Sequence, residues 1–184
     1  MRKKGFENYM NKKLITMVES AIMIALAVIL SFVKVWSMPQ GGTVSLTMIP
    51  LFILAFRRGA TAGIISGIIY GAISIIFDGV IYHPMSILLD YTLAYGVLGV
   101  SGFFKKNCLG IILGTTTGVL LRYLCSLLSG AILFADYAPK GQNPWIYSLI
   151  YNATYMVPEL IICVIALIIL YGSGIQLFNA KQHS

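Results

Sequence analysis

Charge is what this sequence has least of. Only 10% of its 184 residues are Asp, Glu, Lys or Arg, six acidic and thirteen basic. By contrast 58% are hydrophobic, and the mean hydropathy is +0.86. A soluble domain of this size has no interior able to hide so much apolar side chain, so the soluble classes are excluded and an integral membrane protein is left. Histidine is nearly absent, at two residues, and no Ser, His and Asp stand at the spacing of a known catalytic set. No G-x-x-x-x-G-K-[ST] phosphate loop occurs, so the chain does not itself hydrolyse ATP by that route. The three cysteines, Cys108, Cys125 and Cys163, lie in or beside apolar segments. Their spacing fits no metal motif and their odd number no closed disulfide set, so they read as small hydrophobes. Neither an enzyme nor a metal or cofactor site is expected. The sequon Asn152-Ala153-Thr154 falls inside an apolar helix and is set aside.

What is present is a series of apolar segments separated by short basic runs. The net charge of +7 suits nucleic acid in principle, but its distribution follows the positive-inside pattern and no nucleic-acid partner is expected. The expected fold is all-α: one domain, 1–184, of six transmembrane helices with both termini cytoplasmic. Residues 1–13 form a basic cytoplasmic start, 14–171 hold the spans, and 172–184 are a cytoplasmic tail. The spans are placed at 14–35, 45–56, 60–77, 85–104, 108–134 and 145–171. The first has the length of a span and no small-residue cleavage site after it, so it is retained rather than removed as a signal peptide. In this arrangement the cytoplasm receives ten basic residues: Arg2, Lys3, Lys4, Lys12, Lys13, Arg57, Arg58, Lys105, Lys106 and Lys181. The outside receives two, Lys34 and Lys140, and Arg122 stays within the membrane.

Small residues are grouped. Ala21 and Ala25, with Ser20 and Ala27 nearby, form a face on the first span that suits close helix approach, either within the bundle or against another membrane protein. Pro39, Gly41 and Gly42 break the helix in the first loop. The second span is too short to cross a bilayer alone. Gly59, Gly63, Gly67 and Gly71 recur every fourth residue, predicting a glycine stripe crossed closely by a neighbour.

Chemistry concentrates in 120–157. An apolar helix carries Arg122 at its middle and ends in a polar loop marked by Pro139, Gly141 and Pro144. A second apolar helix then opens with Trp145, Tyr147, Tyr151, Asn152 and Tyr155. That end reads as the mouth of a binding pocket. Three ionisable side chains fall inside the membrane, Asp90, Arg122 and Glu159, and each is a functional candidate because burial there is costly. Asp90 and Arg122 both lie roughly 21 Å from the inner surface at about 1.5 Å rise per residue. Equal depth predicts that they pair, either as a packing salt bridge or as part of a site. A carboxylate below an aromatic mouth suits a cationic, ring-containing ligand. Glu159 either lines the same cavity or runs along a helix surface. His83, beside Pro84, reads as a loop residue. A solitary channel would spread polar residues along a pore rather than gather them at one end.

The stretches SMPQGGTVSLTMIPLFILAFRRG, HPMSILLDY, LLRYLCSLLSGAILF and YAPKGQNPWIYSLIYNATYMVP resemble the thiamine-specific substrate-binding subunit (S component) of energy-coupling-factor transporters. The similarity runs over 14–170 in compatible order. It implies a six-helix protein of the bacterial cell membrane that captures thiamine from outside and delivers it with a transmembrane coupling protein and two cytoplasmic ATPases. The alternative is uptake of a thiamine precursor or another cationic aromatic vitamin. The resemblance implies that Asp90 faces the thiazolium with Tyr91 beside it. Gly130, Phe134, Tyr147 and Asn152 line the pocket, the last two meeting the aminopyrimidine. Arg122 and Ser126 complete the expected set, and Ala21 and Ala25 match the alanine motif that docks to the coupling protein. Three features depart from relatives. Asp90 stands where some carry glutamate, Ser126 replaces a histidine, and Phe134 replaces a stacking tryptophan with Trp36 out of register with the loop tryptophan. These changes are expected to shift affinity or admit thiamine analogues.

Overall fold

A computed structural model describes residues 2–38, 42–78, 83–173 and 178, with side chains from residue 12 onward except that of Asp78. Pro39, Gly41, Lys181 and His183, together with the side chains of Arg2, Lys3 and Lys4, lie outside the described residues.

Helix α1 (Arg2–Ser31) ends four residues short of the predicted span. The chain then turns into a hairpin of β1 (Lys34–Ser37) and β2 (Thr43–Ser45), with Trp36 opposite Val44 and Ser37 opposite Thr43. Val33, Val35 and Trp36 favour extended backbone, and hydropathy does not separate a short apolar strand from the last turn of a helix. Met38 N–H donates to the Gly42 carbonyl at 2.9 Å, and Gly42 adopts φ 86°, a conformation open to glycine.

Helix α2 (Met48–Arg58) has 11 residues, about 16 Å at 1.5 Å per residue, and does not span a bilayer by itself. Nearly every side chain along it is buried, including Leu51, Phe52, Leu54 and Phe56, so it forms the core around which the longer helices stand. Gly59 closes α2 at φ 92°, its N–H donating to the Ala55 carbonyl at 2.8 Å. A Cβ there would meet nothing within 4 Å, so Gly59 is a helix terminus and not the first member of the glycine stripe.

The stripe itself runs along α3 (Ala60–Asp78) and meets α4 (Pro84–Phe103). A Cβ on Gly67 would strike the Tyr95 carbonyl and one on Gly71 the Tyr91 carbonyl, while one on Gly63 would lie 2.6 Å from the Ala55 side chain. α4 is not uniform. Residues Ile87–Leu93 are wound as a π-helix and Val97–Phe103 as a 3₁₀-helix. Gly96, Gly99 and Gly102 recur every third residue, which aligns them on one face at three residues per turn. That face lies against Ile68, Ile64 and Ala60 of α3. Tight winding here matches the glycine spacing.

Helix α5 (Cys108–Ile132) is capped by Asn107, whose Oδ1 accepts from Gly110 N–H at 2.7 Å. A 3₁₀ turn (Ala135–Tyr137) leads toward α6 (Pro144–Gly172), capped by Asn143 with Pro144 in the first turn. α5 and α6 pack along each other. At the opposite end Glu19 receives Arg57 Nε at 2.9 Å and Arg58 Nε at 2.6 Å, tying α1 to the end of α2. The hydrogen bonds that Arg58 donates to the Glu19 carboxylate hold its guanidinium above its ordinary pKa.

Ile22, Ile29, Ile76, Leu109, Leu120 and Ile169 point outward, whereas Ser66, Ser74, Ser101 and Thr115 are buried. Among the described residues five segments are long and apolar enough to cross a membrane, with α2 short among them. An apolar exterior around hydrogen-bonded helices is the solution lipid imposes, and the chain is an all-α integral membrane protein.

Candidate ligand-binding site

Between the hairpin and helices α3 to α6 lies a cavity of about 440 Å³, within the range that holds small organic ligands. All eight side-chain positions selected from the sequence line it: Asp90, Tyr91, Arg122, Ser126, Gly130, Phe134, Tyr147 and Asn152. Ala21 and Ala25 do not. They are exposed on α1, while their neighbour Ala27 is fully buried in the bundle.

Asp90 and Tyr91 enter the cavity from the π-wound part of α4. Within it Thr92 Oγ1 donates to the Ile87 carbonyl at 3.0 Å. Such wide turns are uncommon and cluster at functional sites. The half-buried Asp90 carboxylate accepts a short hydrogen bond from Ser129 Oγ on α5. It makes no ion pair with Arg122, contrary to the expectation from equal depth. Arg122 turns instead to α6, where Nη1 lies 3.3 Å from Glu159 Oε2. Its guanidinium also stands 4.4 Å from the centre of the Tyr95 ring, with Nη2 donating to the Tyr95 hydroxyl at 3.2 Å. Tyr95 in turn meets Tyr70 edge-on, with centroids 4.7 Å apart.

Glu159 is thereby placed. It is only 1% exposed, does not line the cavity, and stands behind Arg122. Its Oε1 lies 3.3 Å from Ser45 Oγ of β2, which is 2.9 Å from Thr47 Oγ1. One carboxylate thus joins the hairpin, α5 and α6.

The opposite wall is amide and aromatic. Asn152 Nδ2 donates to the Ser148 carbonyl at 2.8 Å and lies 3.1 Å from Ser148 Oγ, and its Oδ1 accepts from the Tyr155 hydroxyl at 2.6 Å. A carbonyl oxygen has a second lone pair, so Oδ1 retains one acceptor position. Gly130 allows this wall to close, since a Cβ there would strike Ser148 Oγ. Phe134 and Tyr137 stack tilted at 5.9 Å, Tyr147 and Tyr151 at 5.8 Å, and together they form the aromatic end. The hairpin reaches this wall through Gly42, where a Cβ would come within 2.7 Å of the Tyr155 ring. His83 is exposed and caps the start of α4, its Nδ1 accepting from Met85 N–H at 3.1 Å.

Reading the sequence missed Tyr70, Tyr95, Ser148 and Lys34 as cavity residues. Tyr95 had a signal: it lies one turn beyond Tyr91 on a helix already carrying Asp90. Tyr70 and Lys34 had none, because their positions depend on how α3 and the hairpin fold over the bundle.

Residues 17–179 match the sequence model of a family described as thiamine transporter protein (Thia_YuaJ). The chain is 41% identical to the thiamine transporter ThiT of Bacillus subtilis, over 94% of this chain and 98% of that one. It is 27% identical to the thiamine transporter ThiT of Lacticaseibacillus paracasei, over 94% of each. A solved structure of ThiT from Listeria monocytogenes superposes with a TM-score of 0.83 at 26% identity, covering 92% of this chain and all of that one.

Proposed function

The chain belongs to the thiamine transporter protein family, and on that premise we propose that it is the substrate-binding subunit (S component) of an energy-coupling-factor importer for thiamine. It is a multi-pass protein of the bacterial plasma membrane that serves thiamine uptake. Thiamine enters from outside with its thiazolium toward Asp90 and Tyr91 and its aminopyrimidine toward Tyr147 and Asn152. Phe134 and Gly130 shape the wall between them. The charge attraction is strong because both partners leave water, and the aromatic end covers the ring faces. The observation that carries this reading is the meeting of a half-buried carboxylate, an amide and several aromatic rings in one cavity of ligand size.

Both termini lie in the cytoplasm in this reading, as one domain, and the exposed Ala21/Ala25 face of α1 docks against a transmembrane coupling protein. Two cytoplasmic ATPases drive transport, which leaves this chain without an enzymatic step of its own. What supports the docking face is its exposure beside a fully buried Ala27, so small residues line both sides of α1. The test is mass spectrometry of small molecules released from the protein purified without added ligand. Thiamine is the expected species; a pyrimidine alone or an uncharged vitamin would overturn the reading.

A further inference from the structure

Three ionisable side chains meet at cavity depth, and their arrangement divides the labour between them. Asp90 faces the cavity and, among the described residues, holds a hydroxyl partner, Ser129. Arg122 also lines the cavity, at 8% exposure, yet its charge is turned away toward Glu159. Glu159 does not line the cavity and stands behind two residues that do, Arg122 and Ser45. From this geometry we infer that Glu159 is the residue that sets the charge preference of the site: by holding Arg122, it leaves Asp90 as the uncommitted charge for a cationic ligand.

The physical case rests on what happens when the carboxylate is removed. A guanidinium inside a membrane protein does not stay without a counter-charge, because desolvation is costly and the pairing energy in low dielectric is large. Arg122 Nε is already buried without a hydrogen-bond partner among the described residues, so the group has donor capacity to spend elsewhere. Asp90 lines the same cavity as Arg122. Deprived of Glu159, Arg122 takes Asp90 as its counter-ion, and the carboxylate is withdrawn from the ligand. Asp90 and Arg122 then neutralise each other, and a cation no longer meets an uncompensated carboxylate on entering.

Ser45 makes Glu159 more than a passive counter-ion. Glu159 receives this hydroxyl from the hairpin while its other oxygen takes Arg122, so the carboxylate is held from two sides and is not free to follow Arg122 into the cavity. Glu159 is therefore a positioning residue that acts through Arg122 and does not touch the ligand.

The inference rests on the ligand reading proposed above, and the test separates the two. Thiamine and an uncharged analogue, in which a neutral ring replaces the thiazolium, are titrated against the parent protein, Glu159→Gln, and the double variant Arg122→Gln/Glu159→Gln. In Glu159→Gln thiamine binding should fall about 10- to 100-fold, while the neutral analogue changes by less than about threefold. The double variant, which removes both charges, should recover thiamine binding to within roughly fivefold of the parent. Equal losses for the two ligands, or a double variant that binds thiamine no better than Glu159→Gln, would overturn the inference and mark Glu159 as a packing residue. Where Glu159→Gln does not fold, the double variant decides alone. It should keep the parent's preference for the cation over the neutral analogue, and loss of that preference overturns the inference. A parent that does not bind thiamine overturns this inference together with the ligand reading; a parent that binds, with Glu159→Gln losing affinity for cation and neutral analogue alike, overturns this inference only.

Discussion

The two ends of α4 are the most instructive contrast in the molecule. Its first half, Ile87–Leu93, is wound wide and presents Asp90 and Tyr91 to the cavity. Its second half, Val97–Phe103, is wound tight and lays Gly99 and Gly102 against the backbone of α3. Both departures from the α-helix are expensive when isolated, because they give poorer hydrogen-bond geometry. Here each has a compensating gain: backbone contact in lipid on one side, and a carboxylate turned into a polar cavity on the other. One helix thus joins a rigid packing surface to a site, and damage to the two halves should have different signatures.

The largest effect belongs to the wide half. Asp90→Asn keeps the shape and removes the charge, and losing one member of a desolvated pair costs about 2–5 kcal/mol, roughly 30-fold to several thousand-fold in thiamine binding. The neutral analogue should hardly respond, and calorimetric titration of both ligands checks this. Equal losses would mean that Asp90 serves packing, and the contrast between the halves would collapse.

In the tight half, Gly99→Ala places a methyl group against the Ile64 backbone, where no rotamer relieves the clash. Overpacking of this kind destabilises by about 1–3 kcal/mol. Thermal unfolding in detergent should show the loss, with thiamine affinity of the folded fraction little changed. A variant as stable as the parent would show that the 3₁₀ segment has room to relax.

The facing wall sharpens the comparison. Tyr147→Ala and Asn152→Ala should each weaken binding by about 1–3 kcal/mol, the first by uncovering a ring face and the second by unpairing a polar group. Asn152→Ala also removes the Oδ1 acceptor of the Tyr155 hydroxyl, so some loss of stability should accompany it. Tyrosine and tryptophan fluorescence during titration reads the affinity, and two variants binding like the parent would move the pocket elsewhere.

The smallest effect on binding is expected outside the cavity. Ala21→Leu and Ala25→Leu alter an exposed face of α1 and should leave thiamine affinity within about twofold, while uptake by whole cells falls. Unaltered uptake in both variants would count against a docking role.

Much of this was legible in the residues themselves. Hydropathy determined the class, because a chain so apolar has nowhere but lipid to put its surface. Asp90 and Arg122 stood out as charges within apolar segments, the resemblance set Gly130, Phe134, Tyr147 and Asn152 beside them, and all six line one cavity. The spacing of Gly63, Gly67 and Gly71 announced a close crossing, since periodicity alone says which residues share a helix face.

Depth, however, is one coordinate, and a contact needs a second: the direction in which each helix turns its side chains. That direction is set by packing between helices far apart in the chain. It gave Arg122 to Glu159, 37 residues away, and left Asp90 to Ser129, 39 residues away. Winding was equally hidden, because a π or 3₁₀ turn differs from an α turn by one residue in the hydrogen-bond step and is selected by what it lies against. Gly59 falls in register with the stripe by number, yet its φ of 92° ends α2 and removes it from that face. The membrane class followed from residue chemistry along the chain; which charge meets which was decided only when the helices closed around the cavity.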